Sequence, residues 1–153
     1  MCKIYYEGRW YGEKEVEENI AKYRAKISGL GIQPEEVTGL YLKRDAQMLF
    51  LIFALYDMGI AFLPLDIHVP KQRNDSIIRQ AEVTRVLADT ACDLDAEVVR
   101  VELLEHRTEE HMTDSPVAYC IATSGTTGTP KIVQAGRRAF EFWMQDLSLI
   151  HIS

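Results

Sequence analysis

A layered α/β fold with a largely parallel sheet is predicted by three features of this 153-residue chain. Short β-branched and aromatic runs alternate with longer segments of helical periodicity. Glycine, proline or a capping aspartate punctuates the junctions between them. A polar, glycine-bearing loop also lies between two apolar runs, at 117–122 and 132–135, and so connects strand to strand.

The elements follow in order. Lys3–Tyr6 and Arg9–Tyr11 flank Glu7-Gly8 and predict a β-hairpin in which Gly8 supplies the positive φ. From Glu13 to Leu30, Val16, Ile20, Tyr23 and Ile27 recur at helical spacing with charges between them, and Gly29 or Gly31 stops the helix. Val37–Leu42 is a short strand. Asp45 is placed to cap the strongly apolar helix Ala46–Met58, which ends at Gly59. Ala61–Leu65 reads as a buried strand, and Pro70 opens a helix from about Lys71 to Ala81. Arg85–Ala88 and Val98–Val101 read as strands. Charge dominates Glu102–Asp114, which is expected to be a solvated connection or a frayed helix. Val117–Thr123 and Ile132–Ala135 are strands around the polar loop, and a helix begins near Arg137.

The length suits one domain with a sizeable core. With 47% hydrophobic and 26% charged residues the composition is that of a globular protein. A net charge of −6 offers no basic surface for nucleic acid, and no Lys/Arg cluster offers one to an anionic membrane. The longest apolar run, Met48 to Tyr56, is far shorter than a membrane span. The chain begins without a charged–apolar–small signal pattern, so a cytoplasmic protein is expected. Cys2, Cys92 and Cys120 are scattered and form no metal-binding spacing, which fits reduced thiols, with Cys120 a small core residue.

The loop Thr123-Ser124-Gly125-Thr126-Thr127-Gly128-Thr129-Pro130-Lys131 carries the chemistry. Its glycines let the backbone fold back so that N–H groups converge on one point. The hydroxyls add donors and Lys131 adds a cation, so the expected guest is a polyphosphate. A chance match to seven of these positions is on the order of one in 10^8 per start site, which sets aside a generic Ser/Thr/Gly linker. A Walker A loop requires glycine directly before the lysine, a hydroxyl after it and a helix to follow. Here Pro130 precedes Lys131, Ile132 follows it and a strand continues. A dinucleotide-binding GxGxxG loop fails as well, because no third glycine opens a helix.

The loop resembles the phosphate-binding signature of the adenylate-forming enzymes, Thr/Ser-Ser-Gly-Thr/Ser-Thr-Gly-x-Pro-Lys-Gly. The stretch Gly59-Ile60-Ala61-Phe62-Leu63-Pro64-Leu65-Asp66, with Pro70 and Arg73, is similar to the second core motif of amino-acid-adenylating members. The hairpin with Trp10-Tyr11-Gly12-Glu13 resembles the first. These signals stand in family order over residues 4–140. Within the superfamily, Pro64-Leu65-Asp66 with Pro70 and Arg73 leans toward amino-acid adenylation of the nonribosomal peptide synthetase type, or the related D-alanine-activating ligases, rather than acyl-CoA synthetases. That tripeptide is a subfamily marker and, physically, a strand end followed by a turn. Two positions depart from the pattern. Ile132 replaces the usual glycine, where it should alter packing more than chemistry. Arg137 replaces a common histidine, keeping a donor near the loop but unable to act as a neutral proton acceptor.

The resemblance implies attack of a carboxylate on the α-phosphate of ATP, giving an acyl-adenylate and pyrophosphate. Thr123, Ser124, Gly125, Thr126, Thr127 and Gly128 would hold the β- and γ-phosphates, and Lys131 would complement the charge of the leaving group or hold the loop through an ion pair with a carboxylate elsewhere. Mg²⁺ is expected between phosphate oxygens. A phosphopantetheine carrier domain or CoA would be the acceptor. His68, His106 and His111 show no metal spacing and read as solvated, and the charges of Glu13–Glu18 as a helix surface. The family's adenine, ribose and acyl-substrate motifs and its mobile C-terminal domain do not occur here. The expectation is therefore an incomplete N-terminal subdomain: 1–146 the N-terminal part of an adenylation domain, inactive by itself. Residues 147–153, Leu-Ser-Leu-Ile-His-Ile-Ser, match a translated transposon end used in sequencing adapters and are expected to be read-through. An acyl-CoA synthetase fragment and a non-catalytic nucleotide-binding module are the alternatives.

Overall fold

In the computed structural model, which describes residues 3–124 and 128–142, the strand–helix alternation builds one six-stranded sheet beside a small hairpin. The hairpin is β1 (Ile4–Tyr6) and β2 (Arg9–Tyr11), antiparallel, with positive φ at both Glu7 (48°) and Gly8 (79°). Both central turn residues are thus left-handed, the geometry that matches the twist of the flanking strands. The later elements are α1 (Glu13–Ser28), β3 (Val37–Tyr41), α2 (Ala46–Asp57), β4 (Ala61–Pro64), α3 (Lys71–Gln80), β5 (Arg85–Ala88), β6 (Glu97–Arg100), β7 (Val117–Ser124) and β8 (Pro130–Gly136). The sheet order is β6-β5-β3-β4-β7-β8, parallel throughout except for the antiparallel pair β7–β8.

Alternation along each strand divides the core into two layers. Leu40, Phe62 and Leu87 face α1 and α2, where Ile27, Leu51 and Leu55 complete one cluster. Leu63, Val86 and Cys120 face α3, against Ile77 and Ile78. A register shift between Val117 and Tyr119 breaks the alternation locally, so that Ala118 and Tyr119 both pack on the α1/α2 side. The strongly apolar α2 is explained by its place. Leu51 and Leu55 meet the sheet, while Ala46 and Phe50 meet Ile4 and Val16 of the hairpin and α1. Asp45 caps it, accepting a hydrogen bond from the Met48 amide at 3.1 Å. Among the described residues no helix is long and apolar enough to cross a membrane.

The connection is solvated as expected, most of its side chains exposed, but its backbone is docked as a strap. After a 3-10 turn at Val101–Leu103, Arg107 N–H donates to the Ala25 carbonyl at 2.9 Å and Thr113 N–H to that of Met58 at 2.9 Å. Ser115 N–H donates to Gly59 O at 3.0 Å, and His111 N–H to Ser28 Oγ at 3.1 Å. The strap therefore supplies donors that the last carbonyls of α1 and α2 cannot find within their own helices. His111 is part of it, with Nε2 2.6 Å from the Ile32 carbonyl oxygen; His106 is exposed, as expected. Residues 147–153 lie outside the described residues.

Candidate functional site

The polar loop is the tip of a β-hairpin. Apolar β7 carries the chain across the sheet, the Gly/Thr segment turns it, and β8 returns alongside. The register pairs Ala122 with Ile132, Thr123 with Lys131 and Ser124 with Pro130. Thr123 and Lys131 are therefore cross-strand neighbours on one face, both exposed. The Thr123 hydroxyl makes a long hydrogen bond, 3.4 Å, to the Lys131 carbonyl. On the opposite face Pro130 is buried and Ile132 packs against the α3-side cluster, which bears out its expected role in packing. Gly128 has φ 77°, and among the described residues nothing beyond its chain neighbours lies within 4 Å of the position a Cβ would take there. Gly125, Thr126 and Thr127 lie outside the described residues, as does the side chain of Ser124. Among the described residues Lys131 makes no ion pair, so its ammonium is available to a ligand.

Beside the hairpin, the carboxyl ends of β3 and β4 form a crevice of about 740 Å³. α2 leaves β3 on one face of the sheet and α3 leaves β4 on the other, so the two strand ends splay apart. This is the topological switch point at which open α/β sheets bind ligands. Leu42, Met48, Ile77 and Ile121 give the crevice an apolar wall, and Lys43, Arg44, His68 and Arg73 line its polar part. The side chains of Lys43, Arg44 and Arg73 make no ion pair among the described residues. Asn74 is 1% exposed and donates its amide to the Asp66 carbonyl at 2.9 Å, while its Oδ1 is buried with no partner among the described residues. Asp66 uses its carboxylate on the turn itself, accepting the His68 amide at 2.8 Å. Pro64-Leu65-Asp66 thus shapes the crevice as a strand end and turn.

Asp75 ties α3 to the segment before β6, its carboxylate accepting a hydrogen bond from the Asp95 amide at 2.8 Å and, within the helix, from Lys71 Nζ at 2.5 Å. The Lys71 bond holds its pKa below the ordinary 3.8; burial opposes the shift, and the Asp95 amide adds to it. A depressed carboxylate stabilises the fold above its unfolded pKa, and that contribution disappears as pH falls through the folded one. Asp75→Asn is accordingly expected to be less stable than the parent from pH 5 to 7, with the difference shrinking below about pH 3.8. Urea denaturation across that range measures it, and a constant gap would contradict the assignment.

Arg137 does not stay near the loop. Because β8 runs back across the sheet, Arg137 follows the Gly136–Val117 end, six residues and roughly 20 Å of strand from Lys131. There its guanidinium lies 4.1 Å over the Tyr56 ring and donates from Nη2 to the Tyr56 carbonyl at 2.9 Å, at the end of α2. It fastens the helical residues 137–142 to α2. The cationic side of the crevice was only partly readable from the sequence. Arg73 belongs to a quoted motif, while Lys43-Arg44 carries one signal, a basic pair directly after a predicted strand.

Residues 2–147 match the model of the AMP-binding enzyme family. The chain is 29% identical over 140 residues to the phosphinothricin tripeptide synthetase PhsC of Streptomyces viridochromogenes, covering 82% of this chain and 13% of that protein. Its fold is similar to the NpsA N-terminal subdomain of Klebsiella oxytoca, with a TM-score of 0.74 at 18% identity over 86% of this chain and 37% of that one. The o-succinylbenzoate CoA synthetase MenE of Bacillus subtilis, solved with its acyl-adenylate intermediate, gives a TM-score of 0.78 at 18% identity over 95% of this chain and 41% of that one. The chain thus spans well under half of each of these proteins.

Proposed function

Because the chain belongs to the AMP-binding enzyme family, we propose that the protein carrying it activates a carboxylate, specifically an amino acid, as an acyl-adenylate with release of pyrophosphate. The observation that carries this is the hairpin register, which sets Lys131 beside Thr123 at the end of the Gly/Thr loop. The carboxylate attacks the α-phosphorus in line with the departing pyrophosphate, a displacement that needs positioning and charge neutralisation rather than covalent help. Backbone N–H groups at Gly125 and Gly128 and the hydroxyls of Thr123, Ser124, Thr126 and Thr127 bind the β- and γ-phosphates. Lys131 balances the charge that develops on the leaving group. Mg²⁺ is expected with the nucleotide. When bound, the ion supplies further charge neutralisation there.

The amino-acid branch is supported by Pro64-Leu65-Asp66 with Pro70 and Arg73, and by the kinship with a tripeptide synthetase. Lys43, Arg44 and Arg73 of the adjoining crevice, without ion pairs among the described residues, suit a phosphate-bearing acceptor such as a phosphopantetheine carrier or CoA. Use of ATP and free Cys92 and Cys120 fit a cytoplasmic enzyme. We read residues 1–146 as the N-terminal part of the adenylation domain. ATP–pyrophosphate exchange by the full-length protein, run against amino acids, aryl acids and fatty acids, tests the reading. Exchange that depends on one or a few amino acids is expected. Exchange with aryl or fatty acids alone would move the chain to the acyl-CoA synthetase branch, and ATP binding without exchange would make it a non-catalytic module.

A further inference from the structure

We propose that Ile132 is a positioning residue for Lys131, an inference that rests on the phosphate role given to that lysine. Along β8, Pro130 and Ile132 turn toward α3 while Lys131 projects from the exposed face beside Thr123. Ile132 pairs with Ala122 across the hairpin, and both pack into the cluster built on Leu63, Ile77 and Ile78. The lysine's backbone is therefore bracketed by Pro130, buried before it, and by a β-branched side chain anchored after it. The pattern this loop resembles has glycine at the second of these positions. Glycine would leave the α3 side unfilled and free the backbone next to Lys131. In this chain a β-branched residue of high strand preference extends the rigid ladder up to the lysine, which fixes the point from which the ammonium reaches a phosphate.

A double-mutant cycle in the full-length protein tests this. Ile132→Gly is expected to lower kcat/KM for ATP in the exchange reaction about tenfold, and Ile132→Val to leave it near the parent value. On a Lys131→Ala background Ile132→Gly should cost nothing further, because the isoleucine acts only through the lysine. Leu94→Ala removes packing from the same cluster away from the hairpin and should lower the melting temperature without changing kcat/KM. Equal losses with and without Lys131, or a parent-like rate in Ile132→Gly, would overturn the proposal. Should Ile132→Gly fail to fold, Ile132→Ala enters the same cycle. Hydrogen exchange over residues 129–133 separates this inference from the functional reading. Faster exchange there in Ile132→Gly than in Leu94→Ala supports the clamp whether or not the parent protein is active, and equal exchange refutes it.

Discussion

Replacing Lys131 with alanine in the full-length protein is expected to lower ATP–pyrophosphate exchange about a hundredfold, roughly the loss of one preorganised charge-stabilising donor, near 3 kcal/mol. The fold should be untouched. Lys131 is exposed and makes no ion pair among the described residues, so its removal leaves no buried group without a partner. The loss should fall on kcat at least as heavily as on KM, because the charge that the ammonium balances grows as pyrophosphate departs. Lys131→Arg keeps the charge but replaces a compact ammonium by a planar fork, and is expected to recover only part of the rate. Exchange at the parent rate in Lys131→Ala would remove the lysine from the mechanism.

The largest expected effect on stability lies far from that loop, at Gly59. Its φ is 73°, a conformation that side chains rarely adopt. A Cβ there would also fall well inside contact distance of the Thr113 carbonyl oxygen and 2.9 Å from its carbon. Those atoms are backbone, so the strap must move. With it would go the bonds of Thr113 to Met58 and of Ser115 to Gly59, which cover the end of α2. Gly59→Ala should therefore cost about 3–4 kcal/mol, the sum of a left-handed alanine and at least one orphaned helix carbonyl. Gly31 makes the comparison. It too has positive φ, 58°, but open space around it, so Gly31→Ala should cost only about 1–2 kcal/mol. Urea denaturation of both variants measures the difference, and equal losses would mean that the strap contributes nothing at Gly59.

That contrast shows what a sequence can and cannot display. Gly59 is readable as a helix stop, because glycine after an apolar helix capped by Asp45 is a local signal. That it must also admit the strap is not readable, because the strap docks through its own N–H groups and backbone donors leave no side-chain signature. Glu102–Asp114 looks solvated for the same reason, its charges facing water while its amides face the helix ends. Arg137 marks a different limit. The strand after the loop is legible, but not that it folds back antiparallel on β7, and that return carries Arg137 to the opposite end of the sheet. The crevice beside the loop depends on topology in the same way. Lys43 and Arg73 stand 30 residues apart and converge only because α2 and α3 leave adjacent strands on opposite faces. The loop at 123–131 is legible as a signature because its residues are consecutive.

In the proposed function the hairpin tip at 123–131 holds the leaving phosphates of ATP. A structure of the full-length protein with a non-hydrolysable ATP analogue tests it most directly. β- or γ-Phosphate oxygens are expected within about 3 Å of Lys131 Nζ and of the loop's N–H and hydroxyl groups. A nucleotide bound with its phosphates away from the hairpin, leaving Lys131 in solvent, would contradict it.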